Sequence, residues 1–97
     1  MPVDLVHQYG SWESKHVVDL FVKFAEKCFE LFSDRVTDWF THNEPMVVFE
    51  GGYLYQFHYP NLIDGRKAVQ VAYNLQLASS KVIAAFRQLN RNPDGKI

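Results

Sequence analysis

The chain has 97 residues, 47% of them hydrophobic and 15% aromatic, and 10 Lys and Arg against 11 Asp and Glu leave a formal charge of −1. That length holds one domain and excludes a complete eight-fold α/β barrel, which takes at least ~200 residues. The high apolar fraction with so little net charge excludes a disordered chain. The absence of a basic patch gives no footing for nucleic-acid binding, and the one cysteine, Cys28, excludes an internal disulfide and a cysteine-built metal site.

In chain order, residues 1–13 mix Pro2, Gly10 and Ser11 with scattered apolar residues and read as a loop with one short turn. Helical periodicity starts after Ser14, a good N-cap, with Val17, Leu20, Phe21, Phe24, Cys28, Phe29, Leu31 and Phe32 recurring at spacings of three and four. A stripe so rich in Phe predicts packing on something broad and flat, such as a sheet face. Cys28 on that stripe reads as a small buried hydrophobe. The helix is expected to end near Ser33 and Asp34. Residues 35–42 are dense in β-branched and aromatic side chains and predict a strand covered on both sides, ending before Pro45.

Residues 46–64 predict a long connection with Gly51, Gly52, Pro60 and three tyrosines, part of which (residues 46–49) turns helically. A second helix is expected from Gly65 to Leu89 with Asp64 as its N-cap, burying Ala68, Val71, Ala72, Leu75, Ala78, Val82, Ala85, Phe86 and Leu89. A turn at residues 92–95 leads to Lys96 and Ile97, the start of another strand. The alternating order is that of a parallel α/β sheet, yet it contains one full strand and no partner for it.

Most catalytic constellations are absent. His7, His16, His42 and His58 have no ligand spacing, there is no phosphate-binding glycine loop, and neither a metal nor a cofactor is expected. The informative stretch is Trp39-Phe40-Thr41-His42-Asn43-Glu44-Pro45. A carboxylate at the carboxyl end of a buried strand, beside aromatic rings, has its charged form disfavoured by desolvation, which suits a general acid. On spacing alone, a polar turn that stops a strand explains the same residues.

Trp39-x-Thr41-x-Asn43-Glu44-Pro45 resembles the acid/base signature of the family 1 glycoside hydrolases, the β-glucosidase and 6-phospho-β-glycosidase family. Tyr9-Gly10-Ser11-Trp12-Glu13, the helical stretch from Val22 to Val36, and Ala68-x-Gln70-x-Ala72-Tyr73-Asn74-Leu75 resemble further stretches of that family, in its own order. The resemblance implies a partial (β/α)8 TIM barrel segment with mostly helical content: an internal slice of helix 3, strand 4 and helix 4. It implies that Glu44 is the general acid/base and that Asn43 hydrogen-bonds the sugar 2-hydroxyl, with Trp39 and Thr41 supporting them. It places Tyr53, Tyr55 and Tyr59 in the loop that rims the aglycone side.

The implied reaction is retaining hydrolysis of a β-glucoside or 6-phospho-β-glucoside. Two departures stand out. The Thr/Ser-Glu-Asn-Gly nucleophile motif is nowhere in the 97 residues, and His42 replaces a residue that is usually apolar. The expectation is therefore a slice of a β-glycosidase, inactive alone, against the alternative of a non-enzymatic α/β interaction module. Open strand edges and Phe-rich faces predict a homo-oligomer. No apolar run approaches the ~20 residues that cross a membrane, and no signal-peptide pattern is present; a cytoplasmic protein without a membrane partner is expected.

Overall fold

The computed structural model describes residues 1–97. Three α-helices, α1 (Val3–Tyr9), α2 (Lys15–Phe32) and α3 (Gly65–Leu89), account for most of the chain, with a 3-10 turn at Ser11–Glu13 and a π-helical turn at Val47–Gly51. Both expected caps form: the His16 N–H donates to Ser14 Oγ at 3.1 Å, and the Lys67 N–H donates to Asp64 Oδ1 at 3.1 Å. Each satisfies a donor that the first helical turn would otherwise leave open.

The amino-terminal stretch departs from the expected loop. Residues after Pro2 form α1, which Gly10 closes in the left-handed conformation (φ 75°), its N–H reaching the Val6 carbonyl at 3.0 Å. Pro before a helix and Gly after it are the usual punctuation, but seven residues are too few for periodicity to speak. Beyond Gly10 the 3-10 turn drives Trp12 into the interior, 8% exposed.

Helices α2 and α3 pack along each other and hold the core in two clusters. Trp12, Val17, Val18, Tyr53, Ala68, Val71, Leu75 and Ala78 form one; Ala25, Phe29, Val82, Ala85 and Phe86 form the other. The Phe29 ring stands edge-on to Phe86 and to Trp39, with centroids 5.3 and 5.0 Å apart. The stripe expected on α3 is largely the observed one, with Ala72 and Leu89 only half-buried. On α2 the expected face is too wide. Phe24 is 66% exposed, Leu31 48% and Phe32 44%, and Cys28 is half-buried. A single neighbouring helix covers a narrower stripe than the flat face such a surface matches.

The strand expected over residues 35–42 does not form. The segment is extended, but its pairing is one parallel bridge between Asp38 and Lys96, in which the Trp39 N–H donates to the Lys96 carbonyl at 2.9 Å and the Lys96 N–H to the Thr37 carbonyl at 2.8 Å. The reason is the one the order already contained: only Lys96 and Ile97 are available to pair with it. Nor is it covered on both sides, since Phe40 is 78% exposed. The connection that follows is more ordered than expected. Residues 45–53 are helical, and the loop after them folds back tightly. Phe57 and His58 both donate to the Gly51 carbonyl at 3.1 Å, Leu62 to Gly52 at 2.8 Å and Asp64 to Tyr53 at 2.8 Å. A Cβ on Gly51 would lie 2.6 Å from the Phe57 ring, so close approach is what requires glycine there.

Candidate functional site

The extended segment leads into Asn43 and Glu44, and Trp39, Thr41 and His42 anchor it to α2 and α3 on the way. Trp39 turns its ring to Phe29 on α2 and donates from Nε1 to the Val36 carbonyl at 3.1 Å. Thr41 Oγ1 shares a 2.8 Å hydrogen bond with Ser79 Oγ on α3. His42 Nε2 lies 2.9 Å from the Leu75 carbonyl, one turn earlier on the same helix, while its ring stacks on Phe21 and meets Trp12 edge-on. A carbonyl can only accept, so Nε2 carries the hydrogen.

Past these anchors the chain turns sharply. Glu44 adopts a left-handed backbone (φ 44°), and its carbonyl accepts from the Val47 N–H at 3.0 Å, starting the helical stretch. A side chain other than glycine pays about 1–2 kcal/mol in that conformation, so its surroundings must hold it. Asn43 and Glu44 are both exposed. The Glu44 carboxylate enters none of the five ion pairs. The expected shielding of this carboxylate by aromatic neighbours is not met: Glu44 is exposed, while the Trp39 ring packs on Phe29. The principal hollows lie elsewhere, the largest (about 540 Å³) being lined by Met1, Val3, Val6, Trp12, Val48 and His58 among others. Asn43 and Glu44 thus sit on an exposed arm, outside these principal hollows.

Of the tyrosines expected on the aglycone side, Tyr55 and Tyr59 are 67% and 62% exposed, but Tyr53 is buried. Its hydroxyl points at Glu13 Oε2, 3.5 Å away, and Glu13 also pairs with Lys67 at 3.3 Å. Burial, followed by the Glu13 charge and that long hydrogen bond, pushes the Tyr53 hydroxyl up to about 12. Tyr53 is therefore a core residue that ties residues 45–53 to the 3-10 turn. Also unforeseen is Asn74, fully buried on α3, whose Nδ2 donates to the Trp12 carbonyl at 2.7 Å and whose Oδ1 accepts from Gln70 at 3.0 Å. No group of three or more His, Cys, Asp or Glu side chains gathers in a way that would hold a metal ion.

The sequence pattern described as glycosyl hydrolase family 1 matches residues 1–97, the whole chain. The chain belongs to this family. The 6-phospho-beta-glucosidase GmuD of Bacillus subtilis is 48% identical to it over 97 residues, which are 100% of this chain and 20% of that enzyme. Beta-glucosidase A of Thermotoga maritima is 38% identical over 88 residues, 91% of this chain and 19% of that one. Among solved structures, a Thermotoga maritima family 1 glycoside hydrolase complexed with a cyclophellitol analogue transition state mimic superposes with a TM-score of 0.90 at 36% identity, over 100% of this chain and 21% of that one. The family 1 chain therefore spans about one fifth of the length of these relatives. No helix in it is long and apolar enough to cross a membrane.

Proposed function

We infer that this chain is the acid/base arm of a retaining β-glycosidase. In this reading residues 36–42 are the fourth strand of a (β/α)8 barrel, α2 and α3 the helices on either side of it, and Asn43 and Glu44 the groups at its catalytic end. Glu44 protonates the glycosidic oxygen as the leaving group departs, then takes a proton from the water that releases the sugar. Asn43 holds the sugar 2-hydroxyl. The carboxylate that attacks the anomeric carbon must come from outside these 97 residues, which contain no Thr/Ser-Glu-Asn-Gly motif. Without it no glycosyl-enzyme forms. The observation that carries the reading is the position of Asn43 and Glu44 directly after an extended segment in parallel pairing, within a chain whose full length matches the family.

The test uses an aryl β-glucoside and its 6-phosphate, the two substrate classes that the relatives' names span. The chain alone is expected to turn over neither. Combined with the remaining segments of a family 1 barrel, it is expected to support hydrolysis that Glu44→Gln lowers by roughly 10²–10⁴-fold. Hydrolysis by the chain alone, or full activity in the Gln variant, would overturn the reading.

A second reading, a non-enzymatic module that associates with copies of itself, draws support from the exposed Phe24 and Phe40 and from the position of Glu44 outside the principal hollows. A stable homo-oligomer that gains no activity from any barrel segment would favour it.

A further inference from the structure

The left-handed turn at Glu44 needs an anchor on its amino-terminal side, and the side chain nearest to it in sequence that makes one is His42. Its ring is held on three sides: stacked on Phe21 with centroids 5.3 Å apart and planes at 25°, edge-on to Trp12 at 5.7 Å and 84°, and hydrogen-bonded through Nε2 to the Leu75 carbonyl at 2.9 Å. Leu75 lies 3% exposed in the middle of α3, the longest helix of the chain. Thr41 is fastened to Ser79, one turn further along the same helix. Two successive residues are thus tied to two successive turns of α3 immediately before the backbone swings to φ 44° at Glu44. On the other side the turn is held only by the Val47 N–H on the Glu44 carbonyl.

We propose that His42 is a positioning residue, whose Nε2–H bond to the Leu75 carbonyl fixes the left-handed turn at Glu44 and so aims the Glu44 carboxylate. An apolar ring at this position would keep the stacking on Phe21 but lose the directional link nearest the turn. A stack tolerates sliding and rotation, whereas a hydrogen bond to a helix-borne carbonyl fixes height and angle together. In this chain, where His42 stands in place of a usually apolar residue, the link matters because a misplacement of about 1 Å can cost about 10²-fold in rate. The effect of His42 on turnover rests on Glu44 being the acid/base group; its effect on the turn does not.

The experiment has a structural arm and a kinetic one. In the labelled full chain, two-bond ¹H–¹⁵N correlations are expected to show the hydrogen of His42 on Nε2, and the Glu44 backbone couplings to report positive φ. His42→Phe, which keeps the stacked ring, is expected to lose the Glu44 signature. His42→Gln, which restores an N–H donor of similar reach, is expected to recover it. A hydrogen on Nδ1, or an unchanged Glu44 signature in His42→Phe, overturns the proposal; if that variant unfolds, failure of the folded Gln variant to keep the signature does so instead. In the enzyme completed with the remaining barrel segments, His42→Phe is expected to lower kcat roughly 10- to 100-fold at unchanged KM, with rescue by His42→Gln. If Glu44→Gln leaves turnover intact, the acid/base reading fails while the structural arm still judges His42. If Glu44→Gln abolishes turnover and His42→Phe does not lower kcat, only the positioning role fails.

Discussion

Tyr53 and Asn74 bring polar atoms into an interior that is mostly aliphatic and aromatic, and each makes a measurable demand. For Tyr53 the demand appears in alkali. An unfolded tyrosine loses its proton near pH ~10, while the folded one holds it up to about 12. Between those values the unfolded state binds fewer protons, so stability falls as pH rises through the window and is fully present below it. The loss has a ceiling of about 3 kcal/mol. Urea unfolding at pH 9 and pH 11.5 is expected to show it in the unsubstituted chain, and Tyr53→Phe is expected to remove that part of the pH dependence. Asn74→Ala would strand the buried Trp12 carbonyl and is expected to destabilise by about 1–3 kcal/mol by the same measurement. Neither role was legible in the sequence. Asn74 falls on the stripe spacing of Val71, Leu75 and Ala78, but nothing local reveals that its partner is a carbonyl 62 residues earlier. Tyr53 looked like one of three loop tyrosines, and only the folding back of the loop separates it from Tyr55 and Tyr59.

At the scale of elements, the parts that were legible are those with local causes. Ser14 and Asp64 cap α2 and α3 where their side-chain oxygens meet free N–H groups, and Asp64→Ala is expected to cost about 1 kcal/mol in thermal or urea unfolding. The buried stripe of α3 follows from its period. What failed depended on partners far away in sequence. The strand at residues 35–42 has the right composition, but a strand is made by its neighbour, and one bridge is all that forms. The width of the apolar face on α2 promised a sheet, while the structure supplies only a helix. The glycine pair at 51–52 looked like loop punctuation, yet it is where the chain crosses itself. Gly51→Ala would push its Cβ against Phe57 and the Cβ of His58, and is expected to destabilise the fold by about 1–3 kcal/mol and to speed proteolysis of residues 54–63. Of the site, the adjacency of Asn43 and Glu44 was plain from the motif, whereas the left-handed turn and its His42 anchor needed α3 in place.

As a whole the molecule is a slab of 44 × 23 × 18 Å whose two long helices protect one another and little else. Phe24 and Phe40 are 66% and 78% exposed, and both line the same shallow hollow with Cys28, Phe29 and Trp39. Light scattering at micromolar concentration is expected to report a homo-oligomer, and the double change Phe24→Ser and Phe40→Ser to shift it toward monomer. A monodisperse monomer in the unsubstituted chain would count against this. The single parallel bridge also decides how anything else can join the extended segment. Because Thr37 and Trp39 spend their carbonyl and N–H on Lys96, the alternation of an extended chain turns the N–H and carbonyl of Asp38 and Phe40 to the opposite edge. An arriving strand, whether from a copy or from the rest of a barrel, has to bond at those even-numbered residues. The docking register on that side is therefore set by a contact on the other: Lys96 acts as a key that leaves only one set of teeth to engage.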